Sequence, residues 1–139
     1  QGLQTWKLAS RALQKATVEN LESYQPLMEM VNQVTESPGK DDPYPYVVIG
    51  DQSSTPFETK SSFGENITMD FHVWGGTTRA EAQDISSRVL EALTYKPLMF
   101  EGFTFVAKKL VLAQVITDTD GVTKHGIIKV RFTINNNTG

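Results

Sequence analysis

The 139-residue sequence contains no cysteine, so a disulfide framework, a thiol nucleophile and a thiolate metal site are all closed to it. Histidine is nearly as scarce. Only His72 and His125 are present, and any imidazole chemistry must use one of them. Basic residues are not in excess either, with thirteen Lys and Arg against sixteen Asp and Glu and a net charge of -3. A protein that grips nucleic acid through its phosphates needs a cationic footprint. The cations here are scattered, which argues against specific nucleic-acid binding. No apolar run approaches the ~20 residues that span a bilayer. The opening Gln1-Gly2-Leu3 has neither an initiator Met nor the basic-then-apolar order of a signal peptide, consistent with a trimmed start and a protein assembled inside the cell.

What is present is enough for a core. Hydrophobic residues make up 39% and charged residues 21% of the chain, a balance that folds. The length suits one domain, 1–139. The first part, 1–35, reads as helical. Leu3, Trp6, Ala9, Leu13 and Ala16 approach a 3.6 period up to about Val18, and a second short helix carries Leu27, Met28, Met30, Val31 and Val34, with Pro26 in its first turn. Turn residues from Glu36 to Pro45 end it.

Tyr46-Val47-Val48-Ile49 is a β-branched run closed by Gly50-Asp51. Gln52 to Gly64 is polar and reads as an irregular or edge segment, with room for a short strand near Phe57 to Thr59. From Glu65 to Trp74 the alternation is clean, placing Ile67, Met69, Phe71 and Val73 on one face and His72 and Trp74 on the other. Gly75-Gly76 then breaks the strand. Thr78 and Glu81 form a capping box for a helix with Ala82, Ile85, Val89 and Leu93 on its apolar stripe. Leu98 to Phe105 reads as a tight hairpin turning at Glu101-Gly102. A longer hairpin follows, with arms Lys109 to Thr117 and Lys124 to Asn135 joined through Asp118-Thr119-Asp120-Gly121. Its second arm turns Ile128, Val130, Phe132 and Ile134 inward, and residues 135–139 form a flexible tail. The class is α+β: a mainly antiparallel sheet, a capped helix packed on it, and N-terminal helices.

The chemistry such a sequence can carry is limited. His72 and Asp70 sit two apart on a strand, but without a third ligand nearby a cross-strand role explains them better than zinc. Pro38-Gly39-Lys40-Asp41 lacks the upstream glycine and the hydroxyl residue of a phosphate loop. Asp118-Thr119-Asp120-Gly121 lacks the terminal glutamate of a calcium loop, and a hairpin turn accounts for it. Asn66-Ile67-Thr68 and Asn136-Asn137-Thr138 fit the glycosylation pattern only by coincidence in the absence of a secretory signal. No catalytic, cofactor or metal residues are assigned. The residues that stand out are candidates for protein contact. Phe57 and Phe63 are apolar anchors in a polar segment that reads equally as a docking loop or as closure of the edge of the subunit's own core, and Trp74 is an aromatic on an outward strand face, suited to an interface or to packing under a local loop. Asp120, Gly121 and His125 lie at the turn and base of the long hairpin.

Pro45-Tyr46-Val47-Val48-Ile49-Gly50, followed by Phe71-His72-Val73-Trp74, resembles the tail-completion, or head-to-tail joining, family of tailed phages. Arg79-Ala80-Glu81-Ala82 opening a helix, the Pro97-Leu98 step, and Thr117-Asp118-Thr119-Asp120-Gly121 leading to Lys124-His125-Gly126 follow in the family's order. The likeness runs from about Pro43 to Phe132. A short tyrosine-bearing motif expected near Val34-Thr35-Glu36 is missing. The resemblance implies a non-enzymatic α+β subunit of the virion that forms a ring, usually a hexamer, on the end of the tail tube. Its implied partners are further copies of itself, the tail tube protein and the head-tail connector proteins. DNA would pass through such a ring, and assembly would occur in the host cytoplasm. The alternative on the same scaffold is another neck or connector adaptor, or a minor tail-assembly factor.

Overall fold

A computed structural model describes residues 7–58, 63–75 and 78–136. In chain order its elements are α1 (Ser10–Ser23), α2 (Gln25–Met28), β1 (Val34–Thr35), β2 (Tyr46–Glu58), β3 (Phe63–Trp74), α3 (Arg79–Thr94), β4 (Phe103–Thr117) and β5 (Lys124–Asn136). The strands form one sheet in the order β1-β2-β3-β5-β4, antiparallel except for the short β1–β2 pair. The architecture is the α+β class expected from the sequence.

The middle of the chain folds as its pattern predicts. In β3, Ile67, Met69, Phe71 and Val73 are fully buried, and alternate residues are half-buried on the opposite, open face. The Thr78 hydroxyl accepts from Glu81 N at 3.1 Å, so an exposed N–H at the start of α3 is satisfied. Ala82, Ile85, Val89 and Leu93 face the sheet from α3 and lie in the core with Ile128, Val130, Phe132 and Ile134 of β5. Fully burying each large aliphatic side chain of this set stabilises the fold by about 1.5–3 kcal/mol.

The N-terminal part departs from the expected 1–35 helical stretch. Leu3 and Trp6 lie outside the described residues, and α1 starts at Ser10 and runs on past Val18 to Ser23. Tertiary contacts set its start: Ala9 N donates to the buried Glu65 carboxylate of β3 at 2.7 Å, and the Lys7 carbonyl accepts from Asn136 at 3.4 Å. The Glu65 side chain also accepts from the Ser54 hydroxyl at 2.5 Å, so three segments meet on one carboxylate. At its far end, α1 is carried forward by burial of Asn20 and Leu21, with Asn20 donating to the Lys96 carbonyl at 3.1 Å. The second helix is a single turn. Val34 is not helical but pairs in parallel with Val47, because the backbone at Asn32 and Gln33 is drawn into hydrogen bonds with Pro45 and Val47.

Three further expectations change. Gly50-Asp51 does not end β2 but forms a bulge between Ile49 and Gln52, after which the strand continues to Glu58. The His72 ring lies over Gly50, where a Cβ would come within 2.9 Å of it, so glycine is there for close approach rather than for a stop. The polar segment after it is not an irregular loop, because Gln52 to Glu58 pair in register with Met69 back to Phe63. There is also no hairpin between Leu98 and Phe105. Leu98 turns into the core, and Phe103 opens a 15-residue strand that pairs with β5 along its length, so two long strands replace the four short ones expected. Asn135 and Asn136, expected to fray, pair with Gly64 and Phe63, and Asn137 to Gly139 lie outside the described residues.

Candidate assembly interface

β4 is the last strand of the sheet. α3 touches it as well as β3 and β5, and Phe103 and Phe105 pack against the core, but most residues of β4 are exposed. Val106, Leu110, Val111, Leu112 and Ile116 are between 37% and 50% exposed, and Val122 at the hairpin tip is 59% exposed. Register distributes them. Leu110 is level with Val130 on the helix side, Leu112 and Ile116 are level with Lys129 and His125 on the open side, and Val106 and Val111 occupy the two bulges. Long apolar edge strands bind other chains unless they are blunted. Here the bulges at Val106 and Val111 and the pair Lys108-Lys109 interrupt the edge, and nothing interrupts it after Val111. Among the described residues, no strand pairs with its outer side.

The hairpin that carries β4 is firmly closed. Asp118 N donates to the Thr123 carbonyl at 2.8 Å, and Gly121 N to the Asp118 carbonyl at 2.9 Å. The Asp120 carboxylate accepts from the backbone N–H groups of Val122 and Thr123, both at 2.8 Å, and from the Thr123 hydroxyl. That hydroxyl contact, followed by the two backbone bonds, holds the carboxyl below its ordinary pKa. Gly121 has φ +75°, the left-handed conformation expected of it. At the start of α3, Arg79 reaches over to donate to the Val115 carbonyl of β4 at 3.0 Å.

At the hairpin's base, Trp74 and His125 are opposed across β3 and β5 with ring centroids 3.6 Å apart. His72 Nδ1 lies 2.8 Å from His125 Nε2. Burial, reinforced by His72, holds His125 below the usual histidine pKa. The sequence placed His72 and Trp74 on one face but gave no sign that His125 joins them, because that contact depends on the β3–β5 register. Among the described residues, no three His, Asp or Glu side chains gather as metal ligands.

Phe57 lies on β2 and Phe63 at the start of the adjoining β3. They lie on paired strands rather than in a loop: Phe63 is buried in the subunit's own core, and Phe57 is half-buried with its ring over Gly64. With Leu8, Ser54, Pro56 and Glu58 they line a chiefly apolar groove of about 550 Å³. Of the candidate contact residues, Phe57 lies on β2, Phe63 and Trp74 lie at the two ends of β3, and Asp120, Gly121 and His125 lie on the β4–β5 hairpin. The exposed row on β4 was missed by sequence reading, although Leu110-Val111-Leu112-Ala113 carries the signal: an apolar run with no alternation on a strand that ought to be half-exposed.

The model of the family described as tail completion protein gp17 matches residues 7–135, and the chain belongs to that family. It is a structural protein of the phage virion, and its place is in the tail. A chain in the solved structure described as the virion of a native gene transfer agent (GTA) particle has the same fold. The TM-score is 0.84 at 16% identity, with 94% of this chain and 100% of that chain covered.

Proposed function

We propose that the protein is a non-enzymatic ring subunit that closes the tail tube and joins it to the head connector. The observation that carries this reading is β4, a 15-residue edge strand that exposes Val106, Leu110, Val111, Leu112 and Ile116. A surface of that kind gains by covering, and membership of a tail-completion family supports a setting among other virion proteins in which it is covered. A subunit with different contact surfaces at its two sheet edges associates head to tail, and such contacts close into a ring when the rotation between copies allows it. Six copies is the number that fits this role. The tail tube protein would lie on one side of the ring and the connector proteins on the other, with the DNA path through its centre.

Native mass measurement on the purified protein, together with a density map of the neck, tests this. The expected result is a closed oligomer at the head-proximal end of the tail. A chain that stays monomeric at every concentration and is absent from virions refutes it. Density among the connector proteins instead assigns the chain as an adaptor, and its absence from a correctly built virion assigns it as an assembly factor.

A further inference from the structure

We infer, on the ring reading above, that β4 of one copy seats its apolar row against the opposite sheet edge of a second copy, in the groove between Leu8, Pro56, Phe57 and Phe63. The two surfaces fit by position. β4 ends one side of the sheet, and beyond the two residues paired with β1 the outer side of β2 has no strand on it among the described residues. Both are apolar. Leu8, which lines the groove, is 69% exposed, and Val106, Val111 and Ile116 are the exposed β-branched aliphatic residues of β4.

Charge selects the pairing. β4 and β5 carry Lys108, Lys109, Lys124, Lys129 and Arg131 and no carboxylate, whereas β2 carries Asp51 and Glu58 and no cation. A two-fold contact of β4 with another β4 would bring Lys108 and Lys109, near the strand's midpoint, against their own copies. Like charges facing across strands oppose that arrangement. The two-fold contact would also stop at a dimer, while the β4-to-groove contact leaves one free edge of each kind and propagates. Pro56 has no N–H to donate, so the contact at the groove is made by seated side chains rather than by an unbroken β ladder.

The absence of cysteine makes a direct test possible. The full chain carrying both Val111→Cys and Pro56→Cys is oxidised under conditions in which the wild type is oligomeric. The expected result is a reducible ladder of covalent multimers on a denaturing gel, with each single variant remaining monomeric there. Cross-linking of Val111→Cys alone shows β4 meeting β4 and overturns the inference, as does a double variant that assembles without cross-links. In both cases the ring reading survives. A wild type that never associates refutes the ring reading, and this inference falls with it. As an independent check, Lys108→Glu with Lys109→Glu is expected to weaken assembly about tenfold and Asp51→Lys to restore part of it. Unchanged assembly in the double-Glu variant contradicts the charge pairing.

Discussion

Trp74 and His125 stack across the β3–β5 ladder with their planes 16° apart, and His72 closes the group with a ring nitrogen 2.8 Å from that of His125. The group lies on the sheet's open face beside Ile116, the β4 residue in register with His125. A proton on His125 must be accommodated against buried surroundings and a neighbouring imidazole, so its neutral form is favoured by folding.

That preference has a defined pH consequence. The folded-state pKa of His125 lies below the unfolded value of 6.5. Its contribution to stability is intact above pH 6.5 and is lost as pH falls through the folded value. In a Trp6→Phe background Trp74 is the sole tryptophan. Its emission should drop as the stacked imidazolium forms, with a midpoint below 6.5, and His72→Gln should move that midpoint upward. A midpoint at or above 6.5 would show that burial does not govern this residue.

Val89 is fully buried between α3 and the sheet. Val89→Asp places an unpaired carboxylate there and should cost at least about 3 kcal/mol, enough to leave little folded, soluble protein. Circular dichroism and soluble yield measure the effect. A folded, soluble variant would mean that α3 does not cover the sheet.

At Gly121, no heavy atom lies within 4 Å of where a Cβ would be built, so only backbone strain opposes substitution. Gly121→Val should lose about 1–3 kcal/mol, whereas Gly121→Asn should lose much less because Asn tolerates the left-handed region. Assembly should follow the same order, since the turn fixes the register that sets which β4 side chains face outward. Equal thermal stability of the two variants would contradict the turn geometry.

The parts of this fold legible in the sequence are those fixed by local periodicity and capping: the alternation of Ile67 to Val73, the Thr78 cap, and the Asp118-to-Thr123 turn. Where long-range contacts override local signals, sequence reading went astray. Gly50-Asp51 has the composition of a strand end, but packing of His72 makes it a bulge. Ser53-Ser54-Thr55-Pro56 has the composition of a loop, but β3 holds it by backbone pairing. Glu65 shares the inward parity of Ile67 to Val73, but that its carboxylate is buried beneath Ala9 and Ser54 depends on contacts far away in the chain. Of the candidate interface residues, Trp74, Gly121 and His125 stand out in the sequence as individuals. The grouping of Trp74 with His72 and His125, and the bareness of β4, depend on the order of strands in the sheet, which no single segment encodes.

Whether β4 is covered by a neighbouring copy in a ring at the end of the tail is decided by a reconstruction of the head-proximal tail end in intact virions. The predicted density is a closed ring of copies of this chain, with Val106, Val111 and Ile116 of each buried against the next. A tail end lacking this chain, or containing copies whose β4 faces open solvent, would contradict it.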